Sequence, residues 1–330
     1  MMMKKKRWWI LSLFIQMLPW FTIEAAILKN ETQTVKLIPD AHWIKNHWIK
    51  DPSAETMPIS WRTNKSIDLN SSGSVPLNLA QFNWLANHYG KDYRIYIIDL
   101  RQETHVYIDG LPISIFYKKD EINWGKNSLE IKELEDKWVS KINHNKSIIL
   151  YTQGIPRLNI KTTTNPVKVG VNQASSEEKL VTNMGLQYLR IPVPDYHPPS
   201  PAQVDQFLNF KKNLPANAWL HFHCAGGKGR TTTFMLLNDI IENASNYSLK
   251  YLVERQSRLG GINIAIPSKS LLTQPWKDEY HKARIDFIEL FYHFIHSGDV
   301  ADQSFSQWMK KQPKGPYQLI LKTKAYAHQL

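Results

Sequence analysis

The sequence predicts an α/β layered domain, and three observations carry that expectation. Strand-like and helix-like segments alternate through the second half of the chain. The strand candidates are short, β-branched and aromatic, as buried strands are. Hydrophobic residues make up 42% of the 330 residues, enough for one large core or two small ones. Twelve tryptophans argue against a low-complexity chain, and there is no internal repeat.

Taken in order, residues 27 to about 80 look irregular, with Pro39, Pro52, Pro58 and Pro76 and a Ser/Asn-rich stretch at 70–74. A short helix is predicted within 76–88 and a buried strand at 93–100. Asp109-Gly110 marks the turn of a hairpin formed by 106–108 and 113–117. Further strands are expected at 147–151 and 167–171. A small β-rich unit is therefore expected at about 106–172. Beyond it the pattern reads helix (177–184), strand (187–191), a loop with five prolines (192–201), helix (202–213), strand (218–223) and apolar helix (231–242). A long amphipathic helix at 280–297 is closed by Gly298.

Residues 1–26 are set apart. Lys4, Lys5, Lys6 and Arg7 precede an apolar run at 10–21 that ends in small residues at Ala25-Ala26, the pattern of a secretory signal peptide. The competing reading is a retained membrane anchor. The run is short for a span of about 20 residues, and Pro19 counts against it. Export to the periplasm or beyond the cell is the expectation, with no stable membrane insertion after the signal is removed. The chain carries a net charge of +12; without residues 1–26, which hold those four cations and Glu24, it is +9. Such an excess suits an anionic partner. The single cysteine, Cys224, has no internal disulfide partner.

The decisive stretch is His223-Cys224-Ala225-Gly226-Gly227-Lys228-Gly229-Arg230-Thr231. A strand delivers Cys224, a glycine-rich turn follows, and a helix begins near Thr231. Glycines let backbone N–H groups turn inward into an anion nest. The helix start adds spare donors and partial positive charge, and Arg230 can grip two phosphate oxygens. In such a setting a cysteine titrates well below about 8.5 and is a thiolate nucleophile. Ala225, Gly226, Gly227, Lys228 and Gly229 are thus candidate substrate-binding residues. The competing reading is a Gly-rich turn around a buried cysteine. The ATP-binding phosphate loop fits poorly, because Phe222 stands where its first glycine belongs. A general acid is also needed. Asp195 lies 29 residues before Cys224 on the proline-rich loop, one helix and one strand away. His197 is a candidate substrate contact or assistant to Asp195. Thr231 either hydrogen-bonds the thiolate or serves only the helix start.

His-Cys, five residues, Arg and Thr resemble the signature of the cysteine-dependent phosphatases, whose fold is the protein tyrosine phosphatase-like one. The likeness extends to Asp99-Leu100-Arg101-Gln102-Glu103-Thr104-His105 with Asp109-Gly110, to residues 214–224, to Arg255-Gln256 with Gly260-Gly261, and to residues 276–292. Together these resemble the bacterial protein tyrosine phosphatase-like phytases. The resemblance implies a central sheet flanked by helices with a small partial β-barrel domain. It also implies a basic pocket and stepwise hydrolysis of myo-inositol hexakisphosphate through a phosphocysteine, with no metal and no organic cofactor. On the matching positions Cys224, Arg230 and Asp195 take the roles of nucleophile, phosphate-binding residue and general acid. Arg62 and Lys277 resemble basic substrate contacts. Glu103 is expected to orient Arg230 by a buried ion pair, and His223 supports the cysteine.

Two departures from that family's pattern stand out. Ala225 replaces an acidic residue after the cysteine, and Tyr196 replaces the histidine after the acid. The sequence leaves a second enzymatic reading, a phosphatase for phosphotyrosine or phosphoinositides. A non-catalytic anion-binding module and a rhodanese-type sulfur transferase are also conceivable, and the joint presence of Cys224, Arg230 and Asp195 speaks against both. The expected partner is a polyanionic small molecule rather than nucleic acid; the sequence says nothing of oligomeric state.

Overall fold

A computed structural model describes residues 36–40, 57–118, 120–152, 165–267 and 274–327. The expected signal peptide lies outside the described residues. Among the described residues two sheets form the framework. The central one has five strands in the order β10 (Gln187–Val193), β4 (Arg94–Arg101), β11 (Ala218–His223), β3 (Ser71–Ser74) and β2 (Arg62–Thr63). All its pairings are parallel except that of β2 with β3. Parallel strands must be covered on both faces, and the side chains of β4 and β11 divide accordingly. Ile98, Leu100, Leu220, Phe222 and Cys224 join one core cluster. Helices α4 (Pro201–Lys212), α5 (Gly229–Asn243) and α7 (Asp278–His296) supply Phe207, Phe234 and Phe287 to it. Ile95, Ile97 and Trp219 join the other, with Phe82 and Leu85 of α1 (Leu79–Tyr89) and Val181 of α3 (Glu177–Asn183).

The strand β3 corrects the sequence expectation of irregular chain up to residue 80. Its Ser-Ser-Gly-Ser composition gives no hydrophobic signal, yet all four residues are buried. The reason is a close approach: a Cβ on Gly73 would come within 2.6 Å of Met235 Sδ and 2.7 Å of Thr231 Cγ2. Only a strand of very small residues lets α5 lie this near the sheet.

The second sheet is mixed and six-stranded. Its order is β8 (Asn165–Gly170), β7 (Ser147–Thr152), β1 (Lys36–Pro39), β6 (Leu111–Phe116), β5 (His105–Ile108) and β9 (Ala174–Ser175). Among the described residues nothing pairs β8 with β9, so the described strands form no closed barrel. The stretch read as β-rich also holds an 18-residue helix, α2 (Ser128–Asn145), lying against β5, β7 and β9. Its start was readable: Asn127 and Glu130 form a capping box. Strand β4 runs into β5 through Gln102-Glu103-Thr104, all buried. The chain thus crosses between sheets beside the end of β11, and that crossing places Glu103. Among the described residues no helix is long and apolar enough to cross a membrane. Helix α6 (Leu249–Arg258) and two short C-terminal helices, α8 (Phe305–Met309) and α9 (Pro316–Ile320), complete the layer on the α5 side.

Candidate active site

Strand β11 ends at His223 and helix α5 begins at Gly229, so Cys224 and the four residues after it form the connecting loop. Gly227 makes the loop possible. Its φ is +61°, and a Cβ there would stand 2.5 Å from the carbonyl carbon of Ser74, a contact no other residue could relieve. Ala225 is buried, Gly226 half-buried and Lys228 exposed.

Cys224 is 3% exposed. Thr231 Oγ1 donates to its Sγ at 3.2 Å. Burial pushes the thiol up, but the charge of Arg230 and the hydroxyl and backbone N–H of Thr231 outweigh it. The thiol therefore titrates below its ordinary range.

Arg230 is fixed on several sides. Its Nη1 and Nη2 donate to Glu103 Oε2 and Oε1 at 2.6 and 2.8 Å, a two-pronged ion pair. Nη1 also meets the carbonyls of Val193 at 3.0 Å and Leu100 at 3.3 Å. Among the described residues its buried Nε has no hydrogen-bond partner, so one donor of the guanidinium is unused. The Asp195 carboxylate, 15% exposed, closes the cluster with an ion pair of 3.0 Å to Arg230 Nη2. Asp195 and Glu103, remote from the cysteine loop in sequence, stand together with its Cys224, Arg230 and Thr231.

The loop that carries Asp195 is held by groups scattered over the chain. Gln203 donates to Pro192 O at 2.7 Å and Arg284 to Tyr196 O at 2.7 Å. Tyr317 donates to Pro199 O at 2.7 Å, and Tyr326 to Pro198 O. Tyr196 itself has a φ of +67°, a left-handed conformation that a bulky residue seldom adopts. His197 differs from the expected substrate contact. It is 1% exposed and enclosed by the rings of Trp124, Tyr280 and Tyr326. Burial lowers its pKa to about 4, so the ring is neutral near pH 7 and Nδ1–H donates to Asp195 O at 2.7 Å. It shapes the acid loop from behind.

Arg62 also differs from expectation. It is 4% exposed, with Nη1 on the carbonyls of Gly227 at 2.8 Å and Ser60 at 2.9 Å and Nη2 on Thr232 Oγ1 at 3.1 Å. These bonds clamp the underside of the cysteine loop. Lys277 stands over the Tyr196 ring, 4.4 Å from its centroid, and 5.3 Å from that of Trp276. The cation is thus tied to the acid loop by the very residue that departs from the family pattern.

Sequence reasoning missed Arg284, which projects from α7 with buried Nη2 on the acid loop and Nη1 3.0 Å from where a Gly229 Cβ would sit. It touches both loops, but an arginine inside a long helix carries no signal of that. It also missed Glu177, which lies 3.0 Å from His223 Nε2 and 2.8 Å from His105 Nε2. Burial pulls His223 down, and Glu177 outweighs it, leaving the imidazole more basic than usual. Asp99, Glu177 and His223 have ligand atoms within 4.8 Å of one another. Arg190, 3.2 Å from Asp99, and His105 already match those carboxylates, so the charge balance calls for no cation.

Residues 98–242 match the family described as PTPlike_phytase, inositol hexakisphosphate. A PTP-like myo-inositol phosphatase from Mitsuokella multacida, solved with myo-inositol-(1,3,4,5)-tetrakisphosphate, is 27% identical with a TM-score of 0.72, over 88% of this chain and 52% of that one. A PTP-like phytase from Bdellovibrio bacteriovorus is 28% identical with a TM-score of 0.65, over 84% and 95% of the two chains. Effector protein hopD2 of Pseudomonas syringae pv. tomato is 30% identical over 65% of this chain; the chain spans 46% of that protein's length. The family match over residues 98–242 and these neighbouring structures make the chain similar to the bacterial protein tyrosine phosphatase-like phytases.

Proposed function

We propose that this protein hydrolyses phosphate monoesters of inositol polyphosphates through a phosphocysteine intermediate. One observation carries the reading: Cys224 Sγ bonded to Thr231, with Arg230 and Asp195 in the same buried cluster. The phosphate of the substrate enters the loop and takes the place of Asp195 on Arg230, where the unused Nε adds a donor. The Cys224 thiolate attacks phosphorus in line, forming the S–P bond as the P–O bond to the inositol breaks, and Asp195 gives its proton to the departing oxygen. Asp195, now a carboxylate, takes a proton from water, which attacks phosphorus. Phosphate leaves, and Thr231 receives the returning thiolate by its hydrogen bond. Exposed Lys228, and Lys277 beside the acid loop, face the remaining phosphates of a polyanionic substrate. No step calls on a metal or organic cofactor. Export by the segment at 1–26 belongs to the same proposal.

A second reading has one observation in its favour. The Tyr196 and Trp276 rings meet edge to face, centroids 5.1 Å apart, beside Asp195, an aromatic edge suited to an aryl phosphate. Phosphate release from inositol hexakisphosphate, a phosphotyrosine peptide and a phosphoinositide, measured side by side, separates the readings. Fastest turnover of the hexakisphosphate is expected; equal or faster turnover of the peptide transfers the assignment to the second reading. Cys224→Ser should reduce release to background, and full activity in that variant overturns the covalent mechanism.

A further inference from the structure

We propose that Asp40, far upstream in sequence and on the second sheet, is a positioning residue for Arg230, acting through Arg101 and Glu103. The proposal rests on the reading of Arg230 as the phosphate-binding residue.

Four side chains of alternating charge run in a line, all nearly sealed from solvent: Asp40 (2% exposed), Arg101 (0%), Glu103 (1%) and Arg230 (2%). Asp40 directly follows β1, and its backbone N–H donates to Pro112 O at 3.0 Å, so it is fixed to the hairpin strand β6. Arg101 ends β4 of the central sheet. Its Nη1 meets Asp40 Oδ2 at 2.7 Å, its Nη2 donates to Ser114 Oγ at 2.7 Å, and its Nε donates to Glu103 Oε1 at 3.0 Å. Ser114 in turn donates to Asp40 Oδ1. Every nitrogen of the guanidinium side chain therefore has its own acceptor, and two of the three come from the second sheet.

Glu103 is shared. Its Oε1 accepts both from Arg101 and from Arg230 Nη2, and its Oε2 accepts from Arg230 Nη1. Two buried guanidinium groups thus pull on one carboxylate. Asp40 neutralises one of them and allows Glu103 to lie square to the other. Without Asp40, Arg101 keeps its charge in a site closed to water, where an unpaired charge is very costly. Glu103 is the partner already in reach, and it would turn toward Arg101. Arg230 would lose its two-pronged hold, and with it the fixed angle at which its remaining donors meet a phosphate. The second sheet would then serve the chemistry directly, by supplying the counter-charge that settles how Glu103 is divided.

The proposal makes a coupling prediction. Orthovanadate, a phosphate-shaped oxyanion, is titrated against the wild type, Asp40→Asn, Glu103→Gln and the double variant, with kcat on an aryl phosphate measured in parallel. Asp40→Asn is expected to weaken vanadate binding about tenfold and to lower kcat. In the Glu103→Gln background the same substitution should change neither by more than about twofold. Equal losses in both backgrounds, or no loss in either, overturn the proposal. Should Asp40→Asn not fold, Ser114→Ala carries the same test, with about threefold weaker vanadate binding expected in the wild-type background and none beside Glu103→Gln. Vanadate affinity is read by calorimetry, so the result stands whichever ester proves to be the substrate. Failure of the phosphatase reading shows instead as a wild type that neither binds vanadate nor hydrolyses esters.

Discussion

The two loops of the site are built in opposite ways. The cysteine loop supports itself: its shape follows from Gly227, from the start of α5 and from the short reach between Thr231 and Cys224. Arg62 is the long-range clamp beneath it. The acid loop leans on the rest of the chain, with Gln203, Arg284, Tyr317 and Tyr326 holding its carbonyls and a neutral His197 filling its interior. Anion binding can thus be fixed locally, because backbone donors and a helix end are contiguous in sequence. Aiming a proton donor at that anion needs a loop set at a distance, and only tertiary contacts can set it.

The comparison predicts that damage to the acid loop lowers turnover while sparing oxyanion affinity, and that damage to the cysteine loop lowers both. Asp195→Asn should have the largest effect, cutting turnover of inositol phosphates about 10²–10⁴-fold. Aryl phosphates, which leave more readily, should lose far less, and equal losses on the two ester classes would count against the acid role. Gly227→Ala comes next. It forces a Cβ against the backbone of Ser74 at positive φ, so a loss of about 1–3 kcal/mol in chemical denaturation is expected, with vanadate affinity falling as well. Unchanged affinity would show that the loop tolerates the strain. Arg284→Met should lower kcat on alkyl phosphates about tenfold, because the Tyr196 carbonyl loses its donor and the site loses a buried cation; stopped-flow single turnovers would place the loss in the chemical step.

Tyr317→Phe removes one bond to the acid loop and should cost about 1 kcal/mol of stability with a several-fold fall in kcat. An intact vanadate isotherm is the matching expectation. Thr231→Val gives the smallest effect, and it appears as a shift rather than a loss. In the wild type the thiol titrates below its usual value, so kcat/KM should climb with pH through that lowered pKa as thiolate forms. Without the hydroxyl the thiolate loses a donor and its pKa rises. The ascending limb of the pH profile must then move to higher pH; a stationary limb would assign Thr231 a purely structural part.

The sequence by itself determined the cysteine loop. Cys224, its glycines, Arg230 and Thr231 are consecutive, so local backbone chemistry is enough to read the anion nest and the nucleophile. The alternation of strand-like and helix-like segments through the second half gave the layered α/β class for the same local reason, and Glu103 was found by its motif. What lay beyond was decided by packing. Strand β3 went unread because burial under α5 selects smallness rather than hydrophobicity. Arg62 and His197 carried the right chemistry for substrate contacts, yet the fold turned both inward, one beneath the cysteine loop and one behind the acid loop. Arg284, Tyr317 and Asp40 gave no local sign at all. Their effect on the site depends on the chain bringing α7, the C-terminal segment and the second sheet against two loops, and a residue's neighbours in space leave no trace in its neighbours in sequence.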